Sequence, residues 1–184
     1  MRLNHGRFRE FGGCGYVARP TSQFLDRNVI RPDRKILVKI RVLSGLRLTS
    51  TLKSVDNITP YVRVNAIDVN LDPVGAKEVY RSFRTKQSKL LKGNGLNADF
   101  SDDPEFFEFV IERKSVAMIY ITVHNENDDS FIAFSSIPVS CLRIGYRSVK
   151  LYNASNERHG LHSFSCLILE IEKYDYKEYL KAHS

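Results

Sequence analysis

Lys35-Ile36-Leu37-Val38-Lys39-Ile40-Arg41-Val42-Leu43 decides the fold class. Ile36, Val38, Ile40 and Val42 recur at every second position, with Lys39 and Arg41 between them. Successive side chains of an extended strand point to opposite faces, so this period predicts a half-buried strand with one apolar and one charged face. Residues 61–66, 79–85, 106–111, 116–124, 131–135, 146–151 and 164–171 carry similar alternation or short apolar runs. Loops rich in Asn, Asp, Gly and Ser part them, and no long amphipathic helix competes in this region. Eight short strands predict an all-β domain, an eight-stranded antiparallel β-sandwich.

The character changes before Lys35. Gly12-Gly13-Cys14-Gly15-Tyr16-Val17 reads as a turn entering a short strand, and Pro20 and Pro32 bracket a linker. At the other end, residues 172–184 read as a strand extension followed by a short helix carrying Tyr174, Tyr176 and Tyr179. Of the 184 residues, 42% are apolar, which excludes a disordered chain and allows a real core. No run approaches the roughly 20 apolar residues of a membrane span, and the N-terminus lacks the apolar stretch of a secretory signal. Cys14, Cys141 and Cys166 are odd in number and far apart, so neither a zinc site nor a disulfide framework is expected. The expected setting is reduced and cytoplasmic.

The net charge of +7 is unevenly spread. Residues 1–54 hold 12 Lys and Arg against 3 Asp and Glu, and residues 55–184 hold 16 against 18. The basic part suits an anionic lipid surface or a solvated linker, and no nucleic-acid reading motif accompanies it.

Two separated blocks resemble phosphoinositide-specific phospholipase C. Met1-Arg2-Leu3-Asn4-His5-Gly6-Arg7-Phe8, then Gly12 to Val17 and Pro20, resemble the end of the Y region that closes the family's catalytic TIM barrel. Ala18-Arg19-Pro20 stands where the family has Leu-Lys-Pro. The second block looks like the family's C2 domain: Leu37 to Gly45, Pro60-Tyr61-Val62-Arg63-Val64, Asn94-Gly95-Leu96-Asn97, Phe131-Ile132, Ile137-Pro138 and Leu142-Arg143-Ile144-Gly145-Tyr146-Arg147-Ser148-Val149-Lys150-Leu151. The resemblance implies a barrel remnant at 1–20, a linker at 21–34, a C2 domain at 35–173 and a tail at 174–184. It also implies a peripheral membrane protein whose intact parent uses calcium to cleave phosphatidylinositol 4,5-bisphosphate into inositol trisphosphate and diacylglycerol. The family's catalytic histidines lie in barrel segments before Met1, and His5 and His159 match no catalytic motif. The chain alone is therefore expected to carry no catalytic residue and no cofactor. A catalytically inactive phospholipase C-like scaffold is the alternative parent.

Calcium-responsive C2 domains gather carboxylates from three loops, because calcium takes 6–8 oxygens and favours charged ones. Here Thr59 stands at the aspartate of Asp-Pro-Tyr-Val, Asn125 and Asn127 replace the third loop's Asp-x-Asp, and Gly93 and Asn57 offer no carboxylate. Asp56, Asp128 and Asp129 remain as weak candidate ligands, so no bound metal is expected and fixed positive charge must replace it. Lys39, Arg41, Arg63, Arg81, Arg84 and Lys86 are the candidates, read as one basic concave face for anionic membrane lipids. Leu46 and Leu48, near the first loop, are candidates for lipid insertion or for capping the core. The parent's barrel and other proteins are the remaining expected partners.

Overall fold

The computed structural model describes residues 2–10, 12, 34–48, 58–72, 75–86, 89–90, 97–101, 105–158 and 160–183. Along the chain run α1 (Arg2–Glu10), β1 (Ile36–Leu46), β2 (Pro60–Asp72), β3 (Gly75–Arg84), β4 (Lys89–Leu90), β5 (Ala98–Asp99), β6 (Phe107–Ile111), β7 (Met118–Asn125), β8 (Phe131–Pro138), β9 (Gly145–Lys150), β10 (Cys166–Asp175) and α2 (Tyr176–His183). The eight expected strands are present, and β4 and β5 are two-residue additions. The turn that reads from Gly12 into a strand, and the linker after it, fall on 13–33, outside the described residues.

Two antiparallel sheets form. In the first, β1 pairs with β10 along one edge, and β10 with β9. The other edge of β1 is shared between β6, opposite residues 36–40, and β5, opposite Ser44 and Gly45. The second sheet has the order β3-β2-β7-β8. Their inner faces supply one apolar core, with Val38, Ile40 and Val42 from β1, Val62 and Val64 from β2, Phe107, Phe109 and Ile111 from β6, Ile119, Ile121 and Val123 from β7, and Leu167, Leu169 and Ile171 from β10. These are the alternating positions the sequence marks. β2 runs well past Ala66 because its hairpin ladder with β3 continues to Asp72 opposite Gly75.

The sequence reading placed no helix at the N-terminus. α1 lies on the outer face of β7 and β8. Gly6 makes this possible: a Cβ there would sit 2.5 Å from the Ser136 carbonyl oxygen, a separation that real side chains do not tolerate. His5 packs edge-on against Tyr152, with ring centroids 4.4 Å apart, and Arg2 lies over the Phe131 ring at 4.2 Å. Phe134 is thereby fully buried although it sits on the outer face.

Burial, and secondarily the nearby Arg9, lowers the His5 pKa. A histidine with a depressed folded-state pKa stabilises the docked helix above its unfolded pKa of about 6.5, and that contribution falls as the pH drops below it. Protection factors of the α1 amides, taken relative to their intrinsic exchange at each pH, are therefore expected to be lower at pH 5.5 than at pH 7.5, and His5→Phe should remove the difference. An equal pH response in the variant would rule His5 out as the cause.

Candidate functional site

The third loop is built on the end of the β2–β7 ladder, where Pro60 lies opposite Asn125. The Thr59 N–H donates to Asn125 Oδ1 at 3.0 Å, and the Glu126 N–H donates to the Thr59 carbonyl at 2.8 Å. Asn125 Nδ2 donates to Asp128 Oδ1 at 2.9 Å, and the same oxygen accepts the Ser130 hydroxyl at 2.7 Å. Asn125 is 1% exposed, so it is a clasp that joins the loop to β2 with both ends of its amide satisfied.

The remaining carboxylates of the turn are met by cations and a phenol. Asp129, at φ 51°, accepts a hydrogen bond from the Tyr61 hydroxyl and lies 3.4 Å from an Arg63 guanidinium nitrogen. Glu126 pairs with Arg84, whose guanidinium stacks 3.7 Å above the Tyr61 ring. Tyr61 also stacks on His124, with centroids 5.5 Å apart. The Tyr61 hydrogen bond, then nearby charges, holds the Asp129 carboxyl below its usual range, while burial, and then Asp129, pushes the Tyr61 phenol up. Among the described residues, no group of three or more His, Cys, Asp or Glu side chains converges as a metal site. Asp56, Asn57 and Gly93 lie outside the described residues. Asn127 sits in the same turn.

The candidate basic residues do not share one face. Lys39 and Arg41 belong to β1, and Arg63, Arg81 and Arg84 to the other sheet, so the single concave face expected from sequence is corrected to two separate surfaces. Alternation shows which face of a strand is outer, not which sheet the strand joins. Lys39 is also enclosed: its ammonium bonds Glu108 at 2.7 Å and the Tyr179 hydroxyl of α2 at 2.8 Å, and those bonds raise its pKa. Arg41 pairs with Glu170 through Nε at 2.9 Å. Arg63 and Arg84, cross-strand partners, stand together on the outer face of the second sheet. Arg81 has the opposite parity and shares it with Phe83. Arg81 and Lys86 are exposed.

Leu46 is exposed, but Leu48 is 1% exposed and belongs to the core. Of the two roles open to it, lipid insertion or capping the core, Leu48 takes the second: it turns back over Gly45, where a Cβ would meet its Cδ1 at 2.5 Å. Leu48→Ala should cost about 2–5 kcal/mol, as large-to-small core changes do, and leave the intrinsic affinity for vesicles unchanged. Urea unfolding and vesicle sedimentation check this; weakened vesicle binding with unchanged stability would return Leu48 to the surface.

The tip residues the sequence reading overlooked are Arg47 and Phe164. Phe164 is 68% exposed, and the Arg47 guanidinium lies 5.1 Å from its ring centroid. The Asn97 side-chain oxygen accepts the Arg47 N–H at 3.2 Å, tying this corner to the β5 loop. A phenylalanine at the start of an expected strand gave no sign that it would project from a loop. Tyr61 and Glu126 were equally unmarked, because their partners come from other strands.

No family model matches the chain. It is 29% identical to the 1-phosphatidylinositol 4,5-bisphosphate phosphodiesterase gamma plc-3 of Caenorhabditis elegans, over 89% of this chain and 12% of that protein. Against the human beta-4 enzyme of that name it is 27% identical, over 92% and 14%. Against the rat delta-1 enzyme it is 27% identical, over 86% and 21%. Its curated homologues are phosphoinositide phospholipases C. The similarity covers most of this chain, which spans about an eighth to a quarter of the length of such relatives. The crystal structure of S. officinalis PLC21 superposes with a TM-score of 0.69 at 23% identity, over 95% of this chain and 21% of that one. The calcium-bound tandem C2 domains of extended-synaptotagmin 2 superpose with a TM-score of 0.50 at 16% identity, over 77% and 43%. The sandwich is thus a C2 fold.

Proposed function

We propose that this chain is the membrane-docking C2 module of a phosphoinositide phospholipase C and that its attachment to anionic lipid does not depend on calcium. The observation that carries the reading is that Arg63 and Arg84 already neutralise Asp129 and Glu126, in the turn where a calcium-responsive loop would hold a cation. Asp128 is likewise engaged, by Asn125 and Ser130. A divalent ion would have to displace these partners and accept neutral amides in place of carboxylates. Attachment then rests on fixed charge and on the exposed tip, where Leu46, Arg47 and Phe164 combine apolar surface with a cation. No helix among the described residues is long and apolar enough to cross a membrane, so the mode of attachment is peripheral.

In the intact parent, α1 and the segment after it would connect the catalytic barrel to the sandwich, and the module would hold that barrel against its phosphatidylinositol 4,5-bisphosphate substrate. Sedimentation with phosphatidylcholine vesicles, with and without phosphatidylserine, tests the docking. Binding to the anionic vesicles should be equal in chelator and in excess calcium and should weaken with salt. Binding that appears only with calcium, or no binding at all, would refute it.

A further inference from the structure

At the end of the sandwich away from the 126–129 turn, α1 and the second sheet enclose a groove with β9. β8 starts beside that turn and ends at Pro138, which lines the groove. Its volume is about 270 Å³, and its lining includes Arg9, Arg143, Arg147 and Lys150 over a floor of Leu142 and Val149. Among the described residues, no Asp or Glu lines it. The nearby carboxylate of Glu10 is held by Arg7 at 3.0 Å and by the Ser140 hydroxyl at 2.6 Å.

None of the described residues neutralises these cations. The Arg147 guanidinium donates to the Ile144 carbonyl at 2.5 Å and the Tyr146 carbonyl at 3.2 Å, which fixes its position and leaves its charge unpaired. Arg9 lies 5.5 Å from the Tyr152 ring centroid. Among the described residues, neither Arg143 nor Lys150 has an ion-pair partner. Four like charges around one concavity repel each other unless an anion enters. Planar guanidinium forks favour phosphate oxygens, which they bind in pairs. The space is that of a small ring rather than of a peptide.

We propose that this groove binds a small polyanion bearing more than one phosphate group. The site goes beyond the docking reading: it uses other residues at the other end of the domain and does not require that reading to be right. Both a soluble inositol phosphate and the headgroup of a phosphoinositide carry this chemistry.

The test is calorimetric titration of the full chain with inositol trisphosphate and with inorganic phosphate, alongside sedimentation with phosphatidylcholine vesicles containing phosphatidylinositol 4,5-bisphosphate. Saturable one-to-one binding of inositol trisphosphate, tighter than that of phosphate, is expected. The R143Q/K150Q double variant should bind at least about tenfold more weakly, as the loss of charged hydrogen bonds implies. The equally charge-reduced K177Q/K181Q variant, altered at exposed positions of α2, should bind as the parent chain does. If R143Q/K150Q loses the parent chain's preference for these vesicles over phosphatidylserine vesicles of equal charge, the lipid headgroup is a source of the ligand; if the parent chain shows no such preference, or the variant keeps it, the source is soluble. Absence of saturable inositol trisphosphate binding, or equal weakening in both double variants, overturns the proposal. Neither substitution should alter binding to phosphatidylserine vesicles through the loop tip, so the two readings fail separately.

Discussion

Replacing Phe109 with alanine is expected to lower the unfolding free energy by about 3–5 kcal/mol, the range for removing a buried aromatic ring. Phe109 is completely buried at the centre of β6, a five-residue strand that pairs with β1 alone among the described residues. β6 therefore depends on Phe107, Phe109 and Ile111 entering the core. Phe109 also touches the opposite sheet: the Phe83 ring of β3 meets it edge-on at 5.1 Å and stacks on Phe107 at 5.5 Å. These three rings close the side of the sandwich where β3 and β6 are both edge strands. Phe109→Ala would leave a cavity there and remove a contact that ties the sheets together. Phe83, 39% exposed, keeps much of its surface in water, so Phe83→Ala should cost a fraction of that amount. Urea unfolding monitored by circular dichroism would read both, with the midpoint falling and the slope unchanged. Equal losses for the two variants would mean that the ring cluster, not burial of Phe109, carries the stability.

The strands were legible because one physical rule, alternation between water and core, is written locally at Ile36, Val38, Ile40 and Val42. The sheet each strand joins is not written locally. Lys39 and Arg63 look alike in sequence, yet the ladder puts one under α2 and the other beside the third loop. The lost carboxylates at Thr59, Asn125 and Asn127 could be read directly against the family pattern. That Arg63 and Arg84 turn toward the remaining ones could not, since it depends on the β2–β3 register and on the positive φ of Asp129. α1 escaped notice for a related reason. Its docking rests on a missing side chain at Gly6 meeting a backbone at Ser136, and a lone glycine carries no apolar period. Leu48 shows the same logic in reverse: Gly45, three residues earlier, is what allows a loop leucine to fold inward.

The clasp at Asn125 makes the calcium question experimentally sharp. Asn125→Asp keeps an oxygen for the Thr59 N–H but removes the donor that Asp128 receives, and it sets two carboxylates at hydrogen-bond distance. Asp128 is exposed and keeps its Ser130 bonds, so the cost comes from charging the buried position 125 beside a second carboxylate. The variant should therefore be distinctly less stable than the parent chain in chelator at neutral pH. One carboxyl of the new pair has its folded-state pKa raised, so the folded state binds the extra proton and the deficit shrinks as the pH falls toward that pKa. Calcium offers a second remedy, because the substitution restores a carboxylate to the loop. At a calcium concentration 100 times the variant's dissociation constant, mass action stabilises it by about 2.7 kcal/mol, visible as a rise in Tm. The unsubstituted chain should show no such rise, since Arg63, Arg84 and Asn125 already satisfy its carboxylates. A comparable calcium-induced rise in the unsubstituted chain would sink the calcium-independent reading of this domain. Recovery of Asn125→Asp by calcium, with the parent chain indifferent to it, would locate the lost dependence in this one side chain.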